Sequence, residues 1–280
     1  MGEVLANELR FHVQRLRPNK PGDHPTVVFI HGLVIDNLSS FYYTLANPVA
    51  QQGCDVILYD LRGHGRSERP ADGYALDDAV ADLVAILDRL DVVGPVYLVG
   101  NSFGGIVAAN TALAHPERVA GLVLIESPCA GEIARTWLED ITNTLSVSAL
   151  GLEHNQAADE FGGLGSRRNA RQAHVASALL NDTTMIDDLA AVEPVEPALL
   201  LDLACPALAV YGERSELAGA AAELLDRAGW TVAILPGDIG HSVLRDASSG
   251  LRELLLRWLL VHSRPARPAG ALAPARRTGG

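Results

Sequence analysis

Gly100-Asn101-Ser102-Phe103-Gly104 fits the pattern G-x-S-x-G, a serine set between two glycines. A serine hydroxyl is a weak nucleophile until a base takes its proton, so the pattern matters only if the chain exposes that hydroxyl. The flanks supply this. Val96–Val99 reads as a short buried strand, and Phe103–His115, rich in small residues, as a helix. A serine on so sharp a strand-to-helix turn is strained, and glycines two residues either side avoid collision. Its hydroxyl would stand at a helix N-terminus, where partial positive charge favours a developing oxyanion. Gly105 and Ala108 would let that helix pack closely.

A base and an acid are needed beside the serine. Nine histidines are available: His12, His24, His31, His64, His115, His154, His174, His241 and His262. His31 and His64 read as hydrogen-bonded structural residues, and His115 ends a helix before Pro116. Only His241, in Gly237-Asp238-Ile239-Gly240-His241, lies in a glycine-rich loop after the last predicted strand. Among the acids, Glu126 closes the apolar run Leu122-Val123-Leu124-Ile125, and a carboxylate there needs a partner. Asp60 and Arg62 make an attractive charged pair, and Asp36 reads as a pocket residue or a helix cap.

The elements that would position these residues alternate. Strands are predicted at Thr26–Ile30, Asp55–Tyr59, Val96–Val99, Gly121–Ile125, Ala207–Tyr211 and Thr231–Leu235, with Leu9–Arg17 as an edge strand. Helices are predicted at Phe41–Gln52, Leu76–Leu90, Phe103–His115, Leu217–Ala228 and Leu251–His262. Alternation of this kind argues an α/β fold with a mostly parallel sheet covered on both faces. The rhythm breaks after Pro128 and resumes at Pro206. Residues 1–127 and 206–262 are therefore expected to form one core, 128–205 a helical cap, and 263–280 a disordered tail.

Four segments in the right order carry a resemblance: His31-Gly32-Leu33 after a strand, Asp60-Leu61-Arg62-Gly63-His64-Gly65-Arg66-Ser67, the serine elbow, and the His241 loop. Together, over roughly residues 9–262, they resemble the α/β-hydrolase superfamily, in its capped serine-hydrolase branch. The resemblance implies an α/β-hydrolase fold with a cap between strands 6 and 7. It also implies Ser102 as nucleophile, His241 as base, and an oxyanion hole from the amides of Leu33 and Phe103. The family's acid usually follows the strand Ala207–Tyr211, but Gly212-Glu213-Arg214-Ser215 puts a serine in its place. Glu126 is the preferred substitute, as in relatives that place their acid after the preceding strand. Glu216 is the alternative, with Glu213 or no acid at all still open. Phe41, Tyr42, Tyr43 and Trp137 are expected substrate contacts, whereas the stripes Leu138, Ile141, Leu145 and Val175, Leu179, Leu180 read as the cap's own packing. Arg167, Arg168 and Arg171 read as a solvated helix start, with an anion-holding role as the alternative.

The implied activity is cleavage of an ester or thioester of a hydrophobic small molecule through an acyl-enzyme, with no cofactor and no metal. Carbon–carbon bond hydrolysis, acyl transfer or cyclisation in natural-product metabolism, and non-catalytic ligand binding are the alternatives. The elbow Gly-Asn-Ser-Phe-Gly-Gly resembles that of meta-cleavage-product hydrolases, while dehalogenases and epoxide hydrolases use aspartate there. Composition narrows the partners. A net charge of −12 on 280 residues disfavours nucleic acid, and 48% hydrophobic residues exclude a disordered body. No apolar run approaches the roughly 20 residues of a membrane span. Three widely spaced cysteines (Cys54, Cys129, Cys205) and no visible secretory signal fit a reduced, cytoplasmic protein. The expected substrate is hydrophobic, free or tethered to a carrier or CoA, and the protein a monomer or homodimer.

Overall fold

The computed structural model describes residues 2–18, 22–128, 130–153 and 167–263. Eight strands form one sheet: β1 Gly2–Ala6, β2 Leu9–Leu16, β3 Thr26–Ile30, β4 Asp55–Tyr59, β5 Val96–Asn101, β6 Val119–Ile125, β7 Ala207–Gly212 and β8 Thr231–Leu235. Their spatial order is β1-β2-β4-β3-β5-β6-β7-β8. The pairs from β4 to β8 are parallel, and β2 joins β4 and β1 antiparallel. The predicted edge strand Leu9–Arg17 is thus not the edge. β1 covers it through a tight hairpin at Asn7 and Glu8, both with positive φ (46° and 64°). Such a two-residue turn needs left-handed backbone at both positions, which Glu8 does not advertise.

The β-branched strands alternate between two buried faces, as a covered parallel sheet requires. Val28, Ile30, Ile57 and Leu98 face the helices Leu76–Arg89, Phe103–Ala114 and Ala218–Arg227. Val27, Phe29, Val56 and Val99 face the other way, against Ser39–Gln51 and Ser248–His262. In Leu76–Arg89 the buried positions Ala79, Val80, Leu83, Ile86 and Leu87 recur at helical spacing, so one stripe meets the sheet.

Between β6 and β7 the described chain is helical: Gly131–Glu153, Arg167–Asn181, Met185–Ala190 and Pro197–Leu201. Leu138, Leu145, Leu179, Leu180 and Met185 bury themselves in the same cluster as the sheet's upper face. The Thr184 N–H donates to Ala71 O at 2.9 Å and the Tyr74 N–H to Asp188 Oδ2 at 2.9 Å, tying these helices to the loop after β4. Cys129, residues 154–166, the side chains of Arg167, Arg168 and Arg171, and the tail beyond Ser263 lie outside the described residues. Among the described residues no helix is long and apolar enough to cross a membrane. Cys54 and Cys205 are free thiols, and burial pushes Cys54 up to about 11.

Candidate active site

The chain crosses from one side of β3 (β4) to the other (β5), which opens a crevice at the carboxyl ends of these strands. Ser102 sits there, between β5 and the helix Phe103–Ala114, at φ 53° and ψ −121°. The two glycines of the motif are sterically required. A Cβ on Gly104 would lie 2.1 Å from Ile30 O, and one on Gly100 2.3 Å from Gly104 O. The Ser102 N–H donates to Ile125 O at 2.9 Å, so the neighbouring strand pins the strained residue. Of the non-glycine residues with positive φ, Val34, Ser102 and Glu126 follow the carboxyl ends of β3, β5 and β6. For a β-branched residue such as Val34 that conformation is costly, so the surrounding bonds must enforce it.

Those bonds come from two buried histidines. The His64 Nδ1–H donates to Arg62 O at 2.8 Å, and Nε2 accepts the Val34 N–H at 2.8 Å. The His31 Nδ1–H donates to Gly32 O at 2.6 Å, and Nε2 accepts the Leu61 N–H at 2.9 Å. Each ring is used at both nitrogens as the neutral tautomer. Burial opposes a charge on both, pushing His64 down to about 3 and lowering His31. Asp60 accepts N–H groups of Leu38 and Arg66 and faces His12 Nδ1 at 2.7 Å. Arg62 forks onto Asp82 at 2.7 Å through both Nε and Nη2. These residues brace the loop rather than touch the crevice. Asp36 does both: it lines the cleft while accepting the Gly32 N–H at 2.8 Å and the Ser40 hydroxyl. The Leu33 and Phe103 N–H groups are engaged in no hydrogen bond among the described residues.

The loop after β8 brings His241 Nε2 to 3.2 Å from Ser102 Oγ. On the other side of the ring, Nδ1 lies 3.3 Å from Glu126 Oε2. Glu126 is fully buried at the end of β6, with positive φ (48°). Its Oε1 accepts the Gly212 N–H at 2.5 Å, and its Oε2 accepts the Ser215 hydroxyl at 2.6 Å. Glu216 is exposed, and Glu213 is exposed with its carboxylate on the Gly237 N–H at 2.8 Å. The geometry therefore gathers Ser102, His241 and Glu126, and leaves Glu216 and Glu213 outside. Ser215, which sequence reasoning treats only as a lost acid, is part of this cluster. Its signal is its position at the end of β7, beside β6.

Ser102 and His241 open into a cleft of about 590 Å³, a size suited to a small organic ligand. Leu33, Ile35, Trp137, Ile141 and Leu244 form its apolar walls, with Asp36 and Arg245 among the polar ones. Trp137 and Ile141 both line the cleft and both pack against the core cluster behind it. Phe41, Tyr42 and Tyr43 correct the expectation of substrate contact, since none of them lines this cleft. Phe41 is fully buried with its ring 5.0 Å from Phe29, on the far face of the sheet, and Tyr42 packs against that cluster. Tyr43 is 79% exposed. Ser40 and Thr44 of the same segment do line the cleft, while Phe41 and Tyr42 turn to the opposite side of the segment and into the cluster beneath the sheet.

The family model of the alpha/beta hydrolase fold matches residues 25–173. This chain belongs to the α/β-hydrolase fold family. It is similar to lipase LipV of Mycobacterium tuberculosis, 39% identical over 119 residues, which cover 42% of each chain. It is also similar to 2-hydroxymuconate semialdehyde hydrolase of Pseudomonas sp. strain CF600, 41% identical over 126 residues, 45% of this chain and 42% of that one. The match spans about two fifths of the length of these curated relatives. Among solved structures, an N-acyl homoserine lactone degrading enzyme superposes with a TM-score of 0.65. It is 26% identical, and the superposition covers 91% of this chain and 98% of that one.

Proposed function

We propose that this chain is a serine hydrolase acting on carboxylic esters or thioesters of hydrophobic small molecules, with Ser102, His241 and Glu126 as its triad. The observation that carries the reading is the unbroken contact from Ser102 Oγ through His241 to the buried Glu126. In this scheme His241 Nε2 takes the hydroxyl proton as Ser102 Oγ attacks the substrate carbonyl. The Leu33 and Phe103 N–H groups receive the developing oxyanion. Collapse breaks the bond to the alcohol or thiol, which leaves with the proton from His241, and the acyl group stays on Ser102. Water, deprotonated by the same imidazole, then releases the acid. Glu126 orients the ring and stabilises its charged form. The apolar walls of the cleft support a hydrophobic acyl or alcohol portion, on a free substrate or one tethered to a carrier or CoA.

The similarity to 2-hydroxymuconate semialdehyde hydrolase favours a second reading, hydrolysis of a ring-cleavage semialdehyde and so of a carbon–carbon bond. Cleft and nucleophile serve either reaction, so turnover of p-nitrophenyl esters and acyl thioesters beside such a semialdehyde separates them. The first test is intact-mass analysis after a fluorophosphonate probe. The expected result is one adduct on wild type, none on Ser102→Ala, and labelling slowed by about 10²–10⁴-fold in Glu126→Gln. Rapid labelling of Glu126→Gln together with slow labelling of Glu216→Gln would transfer the acid's role to Glu216. A folded wild type that takes no adduct would sink the serine-hydrolase reading.

A further inference from the structure

We propose that Ser215 is a positioning residue for the acid: its hydroxyl clamps Glu126 Oε2, the oxygen that faces His241, and so holds the carboxylate in register with the imidazole. The inference rests on the Ser102–His241–Glu126 reading and extends it to a residue that touches neither substrate nor nucleophile. Three observations support it. The first is the direction of the bond. Ser215 Oγ accepts the Leu217 N–H at 3.2 Å, so its own proton is free to go to Glu126 Oε2, 2.6 Å away. A serine whose oxygen already accepts an N–H has its one proton left to donate, and Glu126 Oε2 is the acceptor in reach.

The second is where the donors come from. Glu126 follows β6, whereas both groups that grip its carboxylate come from the end of β7 and the turn after it: the Gly212 N–H on Oε1 and the Ser215 hydroxyl on Oε2. The strands are joined in parallel register, Ile125 opposite Val210, and the Glu126 N–H donates to Val210 O at 3.0 Å. Backbone and side chain of the acid are thus both fixed by the neighbouring strand. A glutamate has one more torsion than an aspartate to restrain, and one donor on each oxygen removes that freedom.

The third is the weakness of the alternative clamp. His241 is half exposed on its side chain and stands 3.3 Å from Oε2, farther than Ser215 does. The imidazole cannot fix a carboxylate that it must itself be fixed by. Ser215 supplies a closer hold on the same oxygen, from a residue that does not line the cleft.

The experiment compares two isosteres, Ser215→Thr, which keeps the hydroxyl, and Ser215→Val, which replaces it with a methyl, alongside Ser215→Ala. Fluorophosphonate inactivation of the full-length protein gives the maximal rate kinact and the half-saturating concentration KI. The expected result is kinact lowered about tenfold in Ser215→Val and Ser215→Ala, KI unchanged within twofold, and Ser215→Thr close to wild type. The downfield proton NMR signal of the His241 Nδ1–H should move in Ser215→Val and stay in Ser215→Thr. Wild-type kinact in Ser215→Val, or equal losses in Ser215→Thr and Ser215→Val, would overturn the clamp. Ser102→Ala and Glu126→Gln run in parallel. If Ser102→Ala is silent and Glu126→Gln is slow while Ser215→Val labels normally, only the clamp fails. If Glu126→Gln labels as fast as wild type, the triad reading fails and takes the clamp with it. Should Ser215→Ala not fold, the Thr and Val pair decides the matter alone.

Discussion

The two walls of the crevice are built differently. On the β3–β5 side, His31, His64, Asp60, Arg62 and Asp82 are all nearly or fully buried and interlocked, and glycines let backbones approach to contact. On the β7–β8 side, β8 is half exposed and His241 rides on a surface loop. The ion pair Arg214–Asp238 beside it is mostly in solvent. The base loop has one tight point, where a Cβ on Gly212 would come 2.3 Å from Ile239 O. An oxyanion hole works by preorganised donors and gains nothing if they must move. A general base can close its hydrogen bonds as substrate binds. The rigid wall is the one that holds Ser102 and the Leu33 and Phe103 N–H groups, and the looser wall carries His241, which is the division of labour the proposed mechanism asks for.

The sharpest way to break this contrast is to put the same methyl group on each wall. Gly104→Ala drives a Cβ into Ile30 O and should cost about 4 kcal/mol or prevent folding. Gly240→Ala meets no atom within 4 Å and should cost under about 1 kcal/mol. Equal costs in urea unfolding would erase the difference between the walls.

His64→Gln comes next, at about 2–3 kcal/mol, because at least one of two buried hydrogen bonds is lost. Its pH dependence is the more specific signature. The folded protein keeps His64 neutral down to about 3, whereas the unfolded chain takes up a proton near 6.5. Acidification between those values loads only the unfolded chain. The stability contribution is full above 6.5 and falls with pH by about 1.4 kcal/mol per unit. His31, also lowered, acts in the same direction. Urea midpoints from pH 7 to 5 should fall more steeply in wild type than in His64→Gln, and parallel curves would show that the ring is charged in the fold.

On the open wall the effects belong to binding. Trp137→Ala should raise KM about fivefold with kcat held within twofold, since an apolar cleft wall contributes alike to ground and transition states. A drop in kcat instead would give Trp137 a part in the reaction. Tyr43→Ala, at an exposed ring off the cleft, should leave both constants and the unfolding midpoint unchanged.

Local chemistry was legible wherever one short segment carries its own constraint. The elbow glycines, the apolar strands and the glycine-rich loop of His241 are of that kind, since steric conflict and burial act between residues a few positions apart. The hairpin at Asn7 and Glu8 was not, because Glu8 takes a left-handed backbone that its side chain does not announce. Phe41 and Tyr42 were read as substrate contacts because they follow the oxyanion loop in sequence. Three-dimensionally, the segment Ser39–Gln51 offers Ser40 and Thr44 to the cleft and sends Phe41, Leu45 and Val49 into the cluster on the opposite face of the sheet.

What the sequence alone determined is the run of strands from β3 to β8 and the strand-to-helix turn that carries Ser102, because G-x-S-x-G between a strand and a helix admits one backbone path. The order in which strands lie side by side was decided only in three dimensions. That order sets β6 against β7, and so turns a serine in the usual place of an acid into the donor that holds an acid on the next strand. A residue's neighbour across a parallel sheet can be 89 positions away, as Ser215 is from Glu126, and no local pattern records it.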